Sequence, residues 1–221
     1  MDQNTVSIII PVFNEGGVLK DILRKIFEQY PYAEIIVIND GSTDDTAKIA
    51  RDAGVIVYSH PYNIGNGAAI KSGIRIASGE ILVFMDGDGQ HDPDDIALML
   101  DCFPDFDMVV GARPVNGHAS LSRRFGNWAL NRLASYVAKF KVQDLTSGFR
   151  AVKAEIAHEF IHLLPNTYSY PTTLTLAVLR DGRCMKYLPI QPNERKAGKS
   201  KIKVMRDGVK FFMIITKICT L

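Results

Sequence analysis

Alternating strand and helix patterns constrain the fold of this 221-residue chain more than any other feature. Residues 6–11 (VSIIIP) form a continuous apolar run, as expected of a strand that is buried on both faces. Further runs of this kind follow at residues 35–38, 55–58, 81–85 and 108–112. Helical patterns occupy the intervals, at residues 17–30, 44–53, 68–77 and 94–102. This order predicts parallel βαβ units in an open, mostly parallel α/β sheet that is flanked by helices.

The pattern changes after Arg113, where the chain becomes basic. The elements predicted there are a long helix from about residue 122, a loop or returning strand at 144–150, a helix at 170–181 and a strand at 185–190. No repeat, low-complexity tract or linker interrupts the sequence. We therefore expect a single domain over residues 1–201, with 1–112 and 113–201 as its two halves, followed by a separate helix at 202–221.

Charge is divided unevenly between the two halves. Residues 1–112 carry 7 Lys and Arg against 18 Asp and Glu, whereas residues 113–221 carry 19 against 6. An acidic half can hold cations, and a basic half can hold anions or lie on an anionic membrane. The three cysteines are far apart and form no CxxC pair, which argues against a disulfide scaffold or a zinc ribbon and favours a reducing compartment. The amino terminus does not have the pattern of a signal peptide.

Polar clusters follow three of the predicted strands at their carboxyl ends, where ligands bind in open α/β sheets. These clusters are Asn14 with Glu15, Asn39 with Asp40, and Asp86 with Asp88. In the third cluster, two carboxylates in the sequence DGDGQ can share one Mg²⁺ or Mn²⁺ that keeps positions open for phosphate oxygens. An EF-hand loop would need Glu where Ala97 stands. A phosphatase of the haloacid dehalogenase type and a simple acidic turn remain alternatives.

Two common nucleotide motifs are missing from the sequence. No GxGxxG follows the first strand, and no GxxxxGK[ST] occurs, so a dinucleotide-binding enzyme and a P-loop NTPase are disfavoured. The sequence PVFNE stands at the first position instead, and DGSTD follows the second strand. Asp40 can accept hydrogen bonds from a nucleobase or a ribose there, although DGST by itself is equally typical of a helix N-cap.

The four segments IIIPVFNE, VINDGSTDDT, NIGNGAAIKSG and VFMDGDGQHDP, in this order, resemble the nucleotide-sugar half of family 2 glycosyltransferases of GT-A fold. Two later segments, QDLTSGFRA at 143–151 and the RxxGxSK pattern that begins at Arg195, resemble the polyprenyl-phosphate branch, typified by dolichol-phosphate mannose synthase. The resemblance covers nearly the whole chain. It implies that residues 1–201 form a GT-A catalytic domain, with 1–112 as the half for the nucleotide sugar and the metal (the donor half) and 113–201 as the acceptor half.

The resemblance also implies roles for individual residues. The nucleotide-sugar contacts are Pro11, Asn14, Glu15, Asp40 and Asp86, with Lys71 as a substitute for the cation that many relatives have where this chain has Asn66. The metal ligands are Asp86, Asp88 and Gln90, with Mg²⁺ or Mn²⁺ as the cofactor. The catalytic residues are Asp88 and Asp144, the second either orienting the sugar or acting as a weak base. The candidates for the acceptor phosphate are Arg113, Arg123, Arg124, Ser147, Arg150 and Arg195.

The last residues of the chain have a helical pattern that suits a membrane surface. Ile202, Met205, Phe212 and Ile215 fall on one stripe of residues 202–219, and lysines and arginines lie opposite. The apolar part is shorter than the roughly 20 residues of a transmembrane span. An ordinary helix that packs on the domain is the alternative. We expect a peripheral protein on the cytoplasmic face of a membrane, which further helices beyond Leu221 would anchor.

The expected activity is metal-dependent, inverting transfer of one hexose from a nucleoside diphosphate sugar to a polyprenyl phosphate. GDP-mannose is the first expectation for the donor and UDP-glucose the second, and no nucleic-acid partner is expected. Two alternatives remain open. One is a family 2 transferase with a soluble saccharide acceptor, and the other is a non-catalytic nucleotide-sugar-binding protein that acts as a membrane scaffold.

Overall fold

The structure is a computed structural model and describes residues 6–103, 105–114 and 121–193, without the side chains of 121–127. Within these residues, seven strands form one sheet: β1 (Val6–Val12), β2 (Glu34–Asn39), β3 (Ile56–Ser59), β4 (Ile81–Phe84), β5 (Met108–Ala112), β6 (Arg150–Lys153) and β7 (Met185–Pro189). The helices are α1 (Gly16–Gln29), α2 (Thr46–Asp52), α3 (Asn66–Ile76), α4 (Asp94–Leu100), α5 (Leu121–Ala138), α6 (Ala154–Phe160) and α7 (Tyr170–Arg180), with a 3₁₀ turn at Ile161–Leu163. The predicted helix at 202–219 lies outside the described residues.

The strand order is β3-β2-β1-β4-β6-β5-β7, and every pairing is parallel except those of β6. The expectation of an open, mostly parallel α/β sheet is confirmed. β2 lies on one side of β1 and β4 lies on the other, so the order of the strands reverses at β1. A crevice therefore opens between the carboxyl ends of β1 and β4, which is where such sheets bind ligands.

The sheet is covered on both faces, as its uninterrupted apolar strands require. Along β1, Ile8 and Ile10 pack with α1, α2 and α4, whereas Ile9 packs on the opposite face with α3, α5, α6 and α7. Side chains alternate across the sheet because the period of a strand is two residues. Both layers fix the strands rigidly, so the strand ends form a stable edge for the polar loops.

The returning segment at 144–150 is a loop from 144 to 149 that leads into β6. β6 runs antiparallel between β4 and β5. Its residue Arg150 pairs with Phe84 of β4 on one side and with Val110 of β5 on the other. Because of this insertion, the loop that precedes β6 lies at the carboxyl ends of β4 and β5. The loop at residues 144–149 thereby reaches the same edge of the sheet as the polar loops that follow β1, β2 and β4.

Candidate active site at the carboxyl edge of the sheet

The acidic turn after β4 lies beside β1. Gly87 has no room for a side chain, because a Cβ there would approach Cγ1 of Val12 to 2.6 Å. Gly89 adopts a left-handed conformation with φ 79°, which glycine tolerates without cost. Within the turn, the Gln90 N–H donates to Oδ1 of Asp88 at 3.1 Å, and Asp88 is buried. The turn is thus a compact loop that holds Asp86 and Asp88 at the β1–β4 crevice.

His91 lies inside this cluster, although the sequence analysis did not select it. Its ring stacks on Phe149 at 4.8 Å, and its Nδ1 accepts a hydrogen bond of 3.3 Å from the Asp86 N–H. Burial lowers the pKa of His91 to about 4, and the charge of Asp88 only partly opposes this effect. The imidazole is therefore neutral at neutral pH, with its proton on Nε2, and it fixes the backbone of the acidic turn.

The loop before β6 packs directly behind Asp86. A Cβ on Gly148 would lie 3.0 Å from Oδ2 of Asp86 and 3.4 Å from the hydroxyl of Tyr170. The Tyr170 hydroxyl donates to the carbonyl of Gly148 at 3.4 Å. Burial, together with the charge of Asp86, raises the pKa of Tyr170 above its usual value. On the α3 side, Nδ2 of Asn66 donates to Oδ1 of Asp86 at 3.4 Å. Asp86 is thus confined from two directions.

This donor set suits a hard divalent cation. Among the described residues, no group of three or more His, Cys, Asp or Glu is arranged to hold a metal ion by itself. Two neighbouring carboxylates, one of them buried, nevertheless fit Mg²⁺ or Mn²⁺, since these ions take oxygen ligands and complete their shells with water and phosphate oxygens. Asp86 and Asp88 are the residues that would hold it. The role of the Gln90 side chain as a metal ligand stays a prediction, because the observed contacts of Gln90 are made by its backbone.

The loop after β1 is joined to the loop after β2. Asn14 has a positive φ of 58°, a conformation that asparagine tolerates better than most residues. Its side-chain carbonyl accepts a hydrogen bond of 2.8 Å from the Thr43 N–H, and its own N–H donates to Oγ of Ser42. The buried Glu15 donates from its N–H to Oγ1 of Thr46 at 3.0 Å. These contacts bring two of the predicted polar clusters together.

Pro11 lies in β1, past the point at which β4 pairs with it. The β1–β4 register ends at Ile9 and Phe84, and Pro11 pairs only with Ile38 of β2. A proline costs no ladder hydrogen bond on the side where a strand has no neighbour. Pro11 therefore marks the β1 wall of the crevice, and its contact with a nucleoside stays a prediction.

Asp40 is buried and holds the segment after β3. Its Oδ1 accepts from the Ile64 N–H at 2.9 Å and contacts Nδ1 of His60 at 2.7 Å, and its Oδ2 accepts from the Gly65 N–H at 2.8 Å. The other ring nitrogen of His60 contacts Oγ of Ser72 at 2.9 Å. The carboxylate thus fixes the amino terminus of α3, next to Asp86. A direct contact of Asp40 with the nucleoside stays a prediction.

Arg113 and Asp144 form a two-pronged ion pair between the end of β5 and the loop before β6. Nε of Arg113 lies 2.7 Å from Oδ2 of Asp144, and Nη2 lies 3.0 Å from Oδ1. Burial alone would raise the pKa of Asp144, but the charge and hydrogen bonds of Arg113 outweigh it and keep this pKa below its usual value. Burial alone would lower the pKa of Arg113, but the charge and hydrogen bonds of Asp144, with smaller contributions from the charges of Asp86 and Asp88, outweigh it and raise this pKa. The pair joins the end of β5 to the loop before β6.

The expectation that Arg150 contacts the acceptor phosphate is wrong for this structure. Arg150 is completely buried, and its guanidinium donates to the carbonyls of Pro171 and Ser147 and to Oγ1 of Thr175 at 3.3 Å. Burial lowers its pKa. The residue instead ties the loop before β6 to α7. Ser147 is also buried, and its Oγ has no hydrogen-bond partner.

The role of Lys71 as a substitute for a cation at Asn66 stays a prediction. Lys71 lies five residues further along α3 and is half-buried. Its pKa is lowered by burial and by the like charge of Arg75, with no carboxylate among the causes. Asn66 itself contacts Asp86, as described above. The remaining acceptor candidates lie outside the described part of the chain. These are Arg195 and the side chains of Arg123 and Arg124.

Two further features concern the surface. A cavity of about 520 Å³ lies at the opposite edge of the sheet, lined by Ile81, Phe103, Lys153 and their neighbours, and it contains none of the predicted site residues. None of the described helices combines the length and the apolarity that crossing a bilayer requires. The polar crevice beside β1 and β4, where Asp86 and Asp88 lie in one compact turn, is the candidate active site.

Comparison with known proteins identifies the family. The family model described as glycosyl transferase family 2 matches residues 7–161, well over half of the chain. The chain belongs to glycosyl transferase family 2. It is a glycosyltransferase, and relatives named for polyprenyl-phosphate acceptors confirm the branch that the later motifs indicated. The family match includes the acidic turn and the Arg113–Asp144 pair, but it ends before Tyr170.

Two relatives and one solved structure illustrate the match. The chain is 30% identical to a dolichyl-phosphate hexose transferase of Haloferax volcanii, over 97% of this chain and 93% of that protein. It is 29% identical to an undecaprenyl-phosphate mannosyltransferase of Micrococcus luteus, over 89% and 87%. Glucosyl-3-phosphoglycerate synthase of Mycobacterium tuberculosis, crystallised with Mn²⁺, UDP and phosphoglyceric acid, superposes with a TM-score of 0.79 at 19% identity. That alignment covers 98% of this chain and 79% of the synthase, and it shows the fold.

Four residues of the site were missed by sequence reasoning: His60, His91, Asn131 and Tyr170. His91 directly follows DGDGQ, and this proximity was the only available signal. The others lie 12 or more residues from the groups they support, so no local pattern could relate them. His60 contacts Asp40, Tyr170 contacts Gly148, and the Asn131 side chain contacts the backbone of Gln143 and Leu145. Their positions depend on which strands are neighbours in the sheet.

Proposed function

We propose that this glycosyltransferase moves one hexose from a nucleoside diphosphate sugar to a polyprenyl phosphate, with inversion at the anomeric carbon. The observation that carries the proposal is the ion pair between Arg113 and Asp144 beside the acidic turn. A sugar hydroxyl acceptor needs a base to remove its proton, whereas a phosphate acceptor is already an anion at neutral pH. Asp144 is held as a carboxylate by Arg113, which makes it a poor base and a good anchor.

The reaction follows from these positions. An oxygen of the acceptor phosphate attacks the anomeric carbon and forms the new bond to the sugar, while the bond to the donor diphosphate breaks and its electron pair leaves with the nucleoside diphosphate. Arg113, held in place by Asp144, offsets the repulsion between the two phosphorylated substrates. A divalent cation on Asp86 and Asp88 would supply Lewis-acid stabilisation to the leaving diphosphate.

The donor and the location complete the proposal. GDP-mannose is the first candidate donor and UDP-glucose the second, with Pro11, Asn14, Glu15 and Asp40 around the nucleoside. The relatives named above include a mannosyltransferase and a hexose transferase, which supports a hexose and leaves its identity to experiment. The acceptor is a lipid, so we place the enzyme at a membrane surface, on the cytoplasmic face where nucleotide sugars are available.

A panel of radiolabelled nucleotide sugars, each with a short polyprenyl phosphate and Mn²⁺ or Mg²⁺, tests the proposal. We expect one donor to give a labelled lipid product in which the acceptor phosphate has become a phosphodiester, and EDTA to abolish its formation until metal is restored. Asp88→Asn is the inactive control. Transfer to a saccharide hydroxyl without transfer to the lipid phosphate would overturn the acceptor, and binding of donor without any transfer would favour a scaffold.

A further inference from the structure

The hydrogen bonds that Asp40 accepts limit what it can offer to a ligand. Asp40 follows β2 and is 3% exposed. Its Oδ1 accepts from the Ile64 N–H at 2.9 Å and lies 2.7 Å from Nδ1 of His60, and its Oδ2 accepts from the Gly65 N–H at 2.8 Å. A carboxylate has about four lone-pair positions, two on each oxygen. Among the described residues, three donors fill both positions of Oδ1 and one of Oδ2, so a single position on Oδ2 is left.

His60 is the side-chain donor that occupies Oδ1. An ionised carboxylate only accepts hydrogen bonds, so Nδ1 of His60 carries the proton that faces Asp40. Nε2 of the same ring lies 2.9 Å from Oγ of Ser72 on α3, and the Tyr58 ring meets the imidazole edge-on at 5.7 Å between centroids. The His60 N–H donates to the Asn39 carbonyl at 2.9 Å. The imidazole is thus fixed at both nitrogens and through its backbone, and it cannot release Oδ1 without breaking these contacts.

Nucleobases differ in the donors that they present to such a carboxylate. Guanine presents two parallel donors, N1–H and the N2 amine, and needs one open position on each carboxylate oxygen. Uracil presents one donor, N3–H, between two carbonyl oxygens. With Oδ1 filled, Asp40 can pair the single donor of uracil but leaves one donor of guanine without an acceptor. An unpaired donor in a buried site is costly, so the count of open positions discriminates between the two bases.

We propose that Asp40, with Oδ1 filled by His60 and by the Ile64 N–H, selects a base that offers a single N–H, and hence a uridine diphosphate sugar as donor. The proposal rests on the proposed function, which places Asp40 at the nucleoside, and it reverses the order of the two donors named there. His60 is a positioning residue, because it acts on the base through Asp40.

Calorimetry with the whole chain and Mg²⁺, without any acceptor, tests this count of donors. The probes are four nucleoside diphosphates in two pairs of equal ring size, UDP with CDP and IDP with GDP. N3 of cytosine is an acceptor that would face the acceptor Oδ2, so UDP should bind at least about tenfold more tightly than CDP. Hypoxanthine has N1–H but lacks the amine of guanine, so IDP should bind at least about fivefold more tightly than GDP.

Matched variants test the role of His60. His60→Leu removes the donor to Oδ1, which then regains an acceptor position, and we expect the preference for IDP over GDP to shrink at least about threefold. The side-chain amide of His60→Asn can donate near the position of Nδ1, so this variant should keep most of the preference. His158→Leu, at an exposed histidine of α6, is the control. Circular dichroism verifies folding, and a general loss of stability would weaken all four nucleotides equally without changing their ratios.

Three results would overturn the inference. GDP that binds as tightly as IDP, or CDP as tightly as UDP, would mean that no single acceptor position of Asp40 reads the base. Unchanged ratios in His60→Leu would remove His60 from the selection. The donor panel distinguishes this inference from the proposed function. Transfer from a GDP sugar to polyprenyl phosphate would overturn the uridine assignment and support the transfer, whereas UDP-selective binding without transfer would support the assignment and count against the transfer.

Discussion

The donor half and the acceptor half of the site hold their charged groups in opposite ways. In the donor half, Asp40 and Asp88 are carboxylates that accept hydrogen bonds from backbone N–H groups of the loops around them. In the acceptor half, Arg113 and Arg150 are cations that donate to a carboxylate or to carbonyls. A charged residue in a motif can therefore be a ligand for substrate or an anchor for a loop, and between the two arginines it is burial that separates Arg150 from Arg113.

The largest expected effect belongs to the donor half. Asp88→Asn removes one of two negative charges at the proposed metal site, while the turn keeps the same shape. Loss of several kcal/mol of charge stabilisation predicts a fall in kcat of at least about a thousandfold. The free energy of unfolding should change little. Transfer assays and urea denaturation measure the two quantities, and Asp101→Asn at the exposed end of α4 is the control. An active Asp88→Asn enzyme would contradict the assignment.

The same substitution at two arginines should give opposite results. Arg150→Lys leaves buried carbonyls without their donors and should lower the free energy of unfolding by about 3 kcal/mol. Arg113, which is 39% exposed, should tolerate lysine with a change of at most about 1 kcal/mol. Lysine at position 113 cannot keep the two-pronged contact with Asp144, so its charge would no longer be held in place. The KM for polyprenyl phosphate should therefore rise about tenfold. Equal effects of both variants on stability and on KM would erase the proposed distinction between anchor and ligand.

Gly148 tests whether the acceptor loop positions a donor-half carboxylate. In Gly148→Ala, the new methyl group would press on Oδ2 of Asp86 and on the Tyr170 hydroxyl, which must then move by a few tenths of an ångström. We expect Mn²⁺ to bind several-fold more weakly, as measured by electron paramagnetic resonance of the free ion. Gly17→Ala, where a Cβ meets nothing within 4 Å, is the matched control. Unchanged Mn²⁺ affinity would mean that Asp86 is positioned independently of this loop.

The smallest expected effect is the pH dependence that comes from Asp144. Its pKa is depressed in the folded protein, so it stabilises the fold above its unfolded pKa of about 3.9 and loses this contribution as pH falls through the folded value. The difference in unfolding free energy between wild type and Asp144→Asn should therefore be larger at pH 7 than at pH 3. Asp144 does not act as a base in the proposed reaction. The pH profile of kcat/KM between pH 6 and 8 should therefore have the same shape in wild type and in Asp144→Asn, with no rise or fall that the substitution removes. Such a rise or fall would restore the base role.

Much of the donor half was predictable because its signals are local. The strands at 6–12, 34–39, 81–84 and 108–112 were predicted within one or two residues, since continuous β-branched runs are typical of buried parallel strands. The helix from about residue 122 was also predicted, as it begins at Leu121. Motifs at the ends of such strands necessarily meet at one edge, and Asn14 and Asp86 do so. The helix α6, which follows β6 without a loop, was missed.

The acceptor half depended on tertiary structure. Arg113 and Arg150 look alike in sequence, and only the insertion of β6 between β4 and β5 buries one while leaving the other at the crevice. The contacts of Gly148 with Asp86 and of Asn131 with the Asp144 loop arise from the same insertion. Sequence by itself determined which segments become strands and which polar groups stand at their ends, because period and composition are properties of neighbouring residues. Which of those groups remain open to substrate was decided by the order of strands in the sheet, because burial is set by residues that are distant in the chain.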